Sequence, residues 1–173
     1  MMNSRPKLEI PRTKLENVVR ALSTVCTVGL DLYAVIVRRR LPEVVPTHFG
    51  VSGIPNAWGP KWILFLVPAL ATLAYLAMML VERVPHAFNY PVQVTAANAP
   101  RLYLIARRWL GIIDLICVAA FGVAFLALVG SPLNAAKGLP GWYVLVVSGS
   151  LTLAAVAMVV SLLRAGARSS RES

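Results

Sequence analysis

The chain has 173 residues, of which 58% are hydrophobic and only 14% charged, and its net charge is +10. A soluble domain carries about 45–50% apolar and about 25% charged residues, so this composition argues against a water-soluble globule. The Lys and Arg sit at the ends of long apolar blocks rather than on one soluble face, which argues against nucleic acid and for topology signals and contacts with an anionic lipid bilayer.

Residues 1–12 are polar and basic, with Pro6 and Pro11, and read as a mobile tail. Thr13-Lys14-Leu15-Glu16 has capping-box spacing and predicts a helix from there to about Val37. Its apolar part, Ala21 to Val37, is short, so Arg20 would have to snorkel to the interface. A cleaved signal peptide is not expected, because Asp31 interrupts the apolar run and Arg38, Arg39 and Arg40 follow it.

The stretch from Arg39 to Trp62 holds Pro42, Pro46, Pro55 and Pro60 with Gly50, Gly53 and Gly59. Proline removes a donor and glycine permits positive φ, so no continuous helix crosses it. Irregular backbone is excluded from lipid unless protein or water covers it, which puts this loop at a membrane face or under a roof of helices. Phe49, Val51, Ile54 and Trp58 interleave with the turn residues and favour an ordered loop, a fixed cap in which Phe49 and Trp58 bury apolar surface.

A second apolar helix follows, Trp62 to Val81, with Pro68 inside it and a kink expected there. Residues 82–108 form a second polar segment. Asn98 followed by Pro100 predicts an N-terminus at Ala99, and Leu102, Ile105 and Trp109 recur at helical spacing. A surface helix should therefore run unbroken into the third span, and Ala99 to Val129 would measure about 46 Å. Residues 130–141 are turn-rich, and a fourth helix is expected over Trp142 to Leu163, with Ser148, Gly149, Ser150, Thr152, Ala154 and Ala155 offering close helix approach. Residues 164–173 read as a basic tail.

The fold class is thus all-α, a four-helix transmembrane bundle in one domain over residues 13–163. The ordered outer loop lies between helices 1 and 2, and the surface helix leads into helix 3. With four spans, twelve Lys and Arg fall on the side of both termini and five on the other. The positive-inside rule then places both termini in the cytoplasm of a multi-pass cell-membrane protein, with the proline-rich loop outside.

Leu41-Pro42-Glu43-Val44-Val45-Pro46-Thr47-His48-Phe49-Gly50, followed by Gly53, Pro55, Asn56, Trp58, Gly59 and Lys61, resembles the signature of the domain-of-unknown-function 1648 family of SdpI-like integral membrane proteins. The family-like stretch covers about residues 17–62. Asn89, Tyr90 and Pro91, with Asn98 and Tyr103, resemble the family's second polar segment. Asn56 stands where the family commonly has Asp. The resemblance implies a multispan membrane protein with toxin immunity or signalling as one role open to it, and implies no established enzyme chemistry.

Among single residues, Asp31 and Asp114 are intramembrane acids, and a central Asp costs about 2.5–3.5 kcal/mol. Structural ion pairs are the favoured reading: Asp31 with Arg38 and Asp114 with Arg107, each at i,i+7, with Arg20 near Asp114 in depth. His48 reads as a hydrogen-bonded loop residue, and with Asn56 it could serve backbone groups that the prolines leave without partners. Trp58, Trp62, Trp109 and Trp142 fit an aromatic belt. Two Cys and two His make no zinc spacing, and neither a cofactor site nor a hydrolase triad is supported. The leading function is a non-enzymatic membrane protein whose outer loop binds a peptide, protein or ligand. The alternative is a small transporter or transporter subunit using polar groups inside the bundle.

Overall fold

A computed structural model describes residues 5–50, 52–134 and 139–169 of the chain; the side chains of 131–134 and 169 are outside the description. The four spans are helices α1 (Lys14–Val37), α2 (Leu66–Val81), α3 (Ala99–Asn134) and α4 (Trp142–Ser169). Each, with its flanking turns, is long and apolar enough to cross a membrane. The fold is a four-helix transmembrane bundle.

Helix α1 begins at the expected capping box. Thr13 Oγ1 accepts from the Glu16 backbone N–H, and Glu16 Oε2 accepts from the Thr13 N–H at 2.7 Å. This satisfies two groups that a helix N-terminus leaves without partners. The helix ends in a 3₁₀ turn over Arg38–Arg40.

The loop that follows adds a small sheet to the otherwise helical fold. Strands β1 (Val44–Phe49) and β2 (Pro55–Pro60) pair antiparallel, with Val45 opposite Gly59 and Pro46 opposite Trp58. The register slips between Pro46 and His48 and again before Phe49. Three prolines fit this ribbon because each strand has a free edge where no ladder donor is needed. Gly53, at φ 75°, makes the turn, with Gly53 N–H donating to Gly50 O and Gly50 N–H to Ile54 O. Val51 lies outside the described residues.

A 3₁₀ turn over Lys61–Phe65 precedes α2. Pro68 therefore falls in the first α turn, where its missing N–H has no intrahelical carbonyl to serve. It marks the start of the helix rather than a kink in its middle. Helix α3 runs unbroken from Ala99, about 54 Å at 1.5 Å per residue. Helix α4 continues to Ser169, six residues past the expected end, so residues 164–169 are helical rather than tail.

The apolar core is split between the two ends of the bundle. At the hairpin end Leu30, Ala34, Val37, Leu41, Val45, Leu64, Ala71, Phe125 and Val129 pack together. At the termini end Tyr90, Ala99, Leu102, Tyr103, Ala106, Leu162 and Ala165 do so. Helix α4 packs on α3. Its small residues make only part of a seam: Ala154 is buried, whereas Ser148 is exposed with its hydroxyl donating to Val144 O, and a Cβ on Gly149 would meet nothing within 4 Å. Residues 5–12, expected as a mobile tail, are instead laid against α3 and the second polar segment. Tyr103 Oη donates to Pro6 O at 3.0 Å, and Arg107 donates to Ile10 O at 2.8 Å.

Candidate functional site: an anchored hairpin opposite a buried charge cluster

The hairpin is fixed at its base and open at its surface. Val45 is fully buried in the core, and Pro46 is buried beside it. Lys61 closes the base twice: its N–H donates to Glu43 O at 2.9 Å and its Nζ meets Glu43 Oε1 at 2.7 Å. Further out, His48 Nδ1 and Asn56 Oδ1 lie 2.5 Å apart across the ribbon. These two side chains serve each other rather than the backbone, and Glu43 is committed to Lys61. Gly59 sits where the strands approach, and a Cβ there would meet Thr47 Cγ2 at 3.0 Å.

Trp58 corrects the expectation of a buried cap. It is 61% exposed, as are Val44, Ile54 and Trp62 to similar degrees. Phe49 is half-buried and Pro42 is exposed. The loop is ordered by its ladder, its turn and Val45, leaving the large apolar side chains facing outward.

At the opposite face five charged residues from four segments meet. Arg107 Nε donates to Glu16 Oε1 at 3.0 Å, with both side chains nearly buried. Arg20 bonds to Glu82, and Arg12 lies 3.5 Å from the same carboxylate. Burial, and then the Arg20 guanidinium, lower the Arg12 pKa from its ordinary value. These pairs replace the expected Arg107–Asp114 partnership: Arg107 is spent on Glu16, and Arg20 on Glu82. Asp114 is buried beside Ser23 in the wall of a cavity of about 20 Å³ shared with the cluster. That is the size that holds about one water, too small for a substrate. Asp31 likewise makes no ion pair with Arg38; it accepts from Thr72 Oγ1 at 2.8 Å. Thr24 Oγ1 and Tyr75 Oη, 2.7 Å apart, lie between the two acids along α1.

The second polar segment forms a clasp over the termini face. Tyr90 Oη donates to Pro85 O at 2.9 Å, its ring stacks on Phe88 and tilts against Tyr103, and Arg5 lies 5.7 Å from its centroid. Asn98 Oδ1 accepts from Thr95 N–H and Asn98 Nδ2 donates to Gln93 O, tying the segment to the start of α3. Asn89 and Pro91 are exposed on either side of Tyr90. Sequence reasoning brought out Tyr90, Asn98 and Tyr103 but missed Glu16 and Glu82 as partners of Arg107 and Arg20. The signal available was a glutamate at each helix end next to the membrane, and its partner lay on another helix.

Fold and site together define a multispan membrane protein with a paired β-hairpin between its first two spans. Residues 27–72 match the family model described as Domain of unknown function (DUF1648). That stretch runs from α1 through the hairpin into α2, and the Asp31–Thr72 bond closes it on itself. The resemblance carried by Leu41 to Lys61 is thereby borne out at the level of that family. Over 98 residues the chain is 32% identical to an uncharacterized protein of Archaeoglobus fulgidus, covering 52% of each chain. The chain thus spans about half the length of the curated relative it matches. No solved structure matches it.

Proposed function

We propose that this protein is a non-enzymatic membrane protein that receives a peptide or protein partner on its hairpin, in a role of toxin immunity or signalling like that of SdpI-like proteins. The observation that carries the reading is Trp58. Its indole stands exposed on a ribbon that Val45, Lys61 and Gly53 hold in place. Ordering such a loop before contact removes most of the entropy cost of binding, and exposed Trp is a favoured anchor for a partner. A photo-crosslinking residue placed at position 54, exposed beside the retained Trp58, tests it in native membranes, with position 145 on α4 as the control. A discrete protein or peptide adduct from position 54 alone is expected; adducts with lipid only, at both positions, sink the reading.

A second reading, a small transporter, is favoured by one observation. Arg20, Ser23, Thr24, Thr27 and Asp31 form a polar face on α1 that meets Tyr75 and Thr72 of α2 and the buried Asp114 of α3. The hydroxyls of Thr24 and Thr27 bond to carbonyls of their own helix, which suits helix packing as well as it suits a path. Proton flux into liposomes that disappears in Asp114→Asn would establish transport.

A further inference from the structure

We propose that the cleft between α3 and α4 at the termini face is a binding site for the phosphate headgroup of an anionic phospholipid. Four arginines line it, Arg101 and Arg108 from α3 and Arg164 and Arg168 from α4, together with Trp109 and Ser161. The cavity is about 330 Å³, within the range of small-ligand sites, in contrast to the one-water cavity beside Asp114.

Three features make this a site for an anion rather than a scatter of basic residues. First, none of the lining residues is acidic, and among the described residues none of these four guanidiniums forms an ion pair, whereas Arg12, Arg20 and Arg107 all do. Like charges gathered at one cleft repel until a counter-anion joins them. Second, Arg101, Arg164 and Arg168 are exposed at the cleft and open to an incoming ligand, and phosphate is an acceptor whose geometry suits the guanidinium fork. Third, the cleft is built in advance. Trp109 Nε1 donates to Ser161 Oγ at 3.3 Å across the two helices. At Gly166 a Cβ would meet Val92 at 2.7 Å, so α4 is seated directly on the second polar segment.

The lipid source follows from position. The arginines stand at the end of the membrane-spanning parts of α3 and α4, and beyond them toward the bilayer α4 exposes Val156, Val159, Val160 and Leu163. A headgroup in the cleft therefore leaves its acyl chains along an apolar helix face, and basic pockets between transmembrane helices bind lipid headgroups in this way.

Native mass spectrometry of the full chain, released from detergent with phosphatidylglycerol or phosphatidylcholine of the same acyl chains, tests the assignment. Each surface arginine contributes about fivefold to anionic-lipid binding, so Arg108→Gln with Arg164→Gln should lower phosphatidylglycerol retention by about twenty-fivefold. Phosphatidylcholine retention should not change. Arg101→Gln with Arg168→Gln, both exposed positions, carries the same expectation should the first pair fail to fold. Equal retention of the two lipids by the wild type, or undiminished retention by a folded variant, overturns the proposal. Displacement of phosphatidylglycerol by millimolar inorganic phosphate overturns the lipid source and assigns the cleft to a soluble phosphate compound. Trp58→Ala should leave every one of these readings unchanged, which separates this site from the hairpin.

Discussion

Arg107 and Glu16 form an ion pair, Nε to Oε1 3.0 Å, between helices whose paired residues are 91 positions apart in sequence. The same glutamate closes the cap of α1 through Oε2, so one carboxylate joins the start of α1 to the third turn of α3. With side chains only 11% and 8% exposed, the pair is largely desolvated. Replacing Arg107 by Met leaves Glu16 buried with its charge unanswered and should cost about 3–5 kcal/mol. Arg107→Lys keeps the charge but loses the fork that serves Glu16 and Ile10 O together, and should fall between. Thermal unfolding in detergent, followed by circular dichroism, gives the order wild type, Lys, Met; equal midpoints for wild type and Met would remove the pair from the account of stability.

The Tyr90 clasp gives a pH dependence of definite sign. Burial raises the Tyr90 pKa above its ordinary range, neighbouring Tyr103 adds to the rise and Arg5 opposes it. In the unfolded chain the phenol ionises near pH 10. The unfolded state therefore loses this proton first, so the contribution is complete below about pH 10 and declines as the pH rises beyond it. Thermal midpoints taken up to about pH 11 should fall more steeply for wild type than for Tyr90→Phe, which cannot ionise. Below that range Tyr90→Phe should cost about 1 kcal/mol, for the lost bond to Pro85 O.

Two glycines in α4 separate close packing from mere helix composition. A Cβ at Gly166 would come within 2.9 Å of Val92 Cβ, an atom next to the backbone that cannot swing aside. Gly166→Ala should destabilise by about 1–3 kcal/mol. Gly149 has open space, and Ala there should stabilise the helix by up to about 1 kcal/mol. Opposite shifts of the thermal midpoint are expected, and shifts of the same sign would mean that the end of α4 is not seated on Val92.

Topology offers a test independent of stability. Counted by segment along the sequence, twelve of the 17 basic residues belong to the side of the termini, so that side should be cytoplasmic and the hairpin outside. Ser52→Cys, in the exposed hairpin turn, should react with an impermeant thiol reagent in intact cells once Cys26 and Cys117 are replaced. Ser170→Cys, which lies outside the described residues, should react only after lysis. Labelling of position 170 from outside reverses the orientation.

The helices were legible because their signals are local. Thr13 and Glu16 are three residues apart, and α3 starts at Ala99, where Asn98 and Pro100 predict it. The hairpin was legible only as an ordered loop, since prolines at 46, 55 and 60 lower strand propensity and the ribbon exists by virtue of its free edges. Without a register, no argument could tell which way Trp58 points, and burial was assigned to it where exposure holds. The charge partners failed for a related reason. Spacing along one helix offers Arg107 to Asp114, whereas the buried Glu16 reaches it from another helix at 3.0 Å. The four arginines of the α3–α4 cleft were likewise counted as topology signals, because Arg101 and Arg164 come together only when α4 packs on α3.

The hairpin itself separates scaffold from surface. Gly53 sits at φ 75°, a conformation that costs an L-residue with a Cβ roughly 1–2 kcal/mol. Gly53→Ala should therefore open the ribbon and raise amide exchange across residues 44–60 by about five- to thirtyfold, the same energy read as an equilibrium constant. Trp58→Ala should do neither: its side chain is exposed, and the ladder, the Glu43–Lys61 closure and Val45 stay in place. If the hairpin is a receptor, Trp58→Ala loses partner crosslinking at a neighbouring position such as Ile54 while exchange stays slow. Gly53→Ala weakens crosslinking in proportion to the opening. Hydrogen exchange and crosslinking on the same three proteins decide the matter. Wild-type amides that exchange as fast as an unstructured peptide would show that no fixed ribbon exists, and Trp58 would then be one more aromatic at the membrane surface.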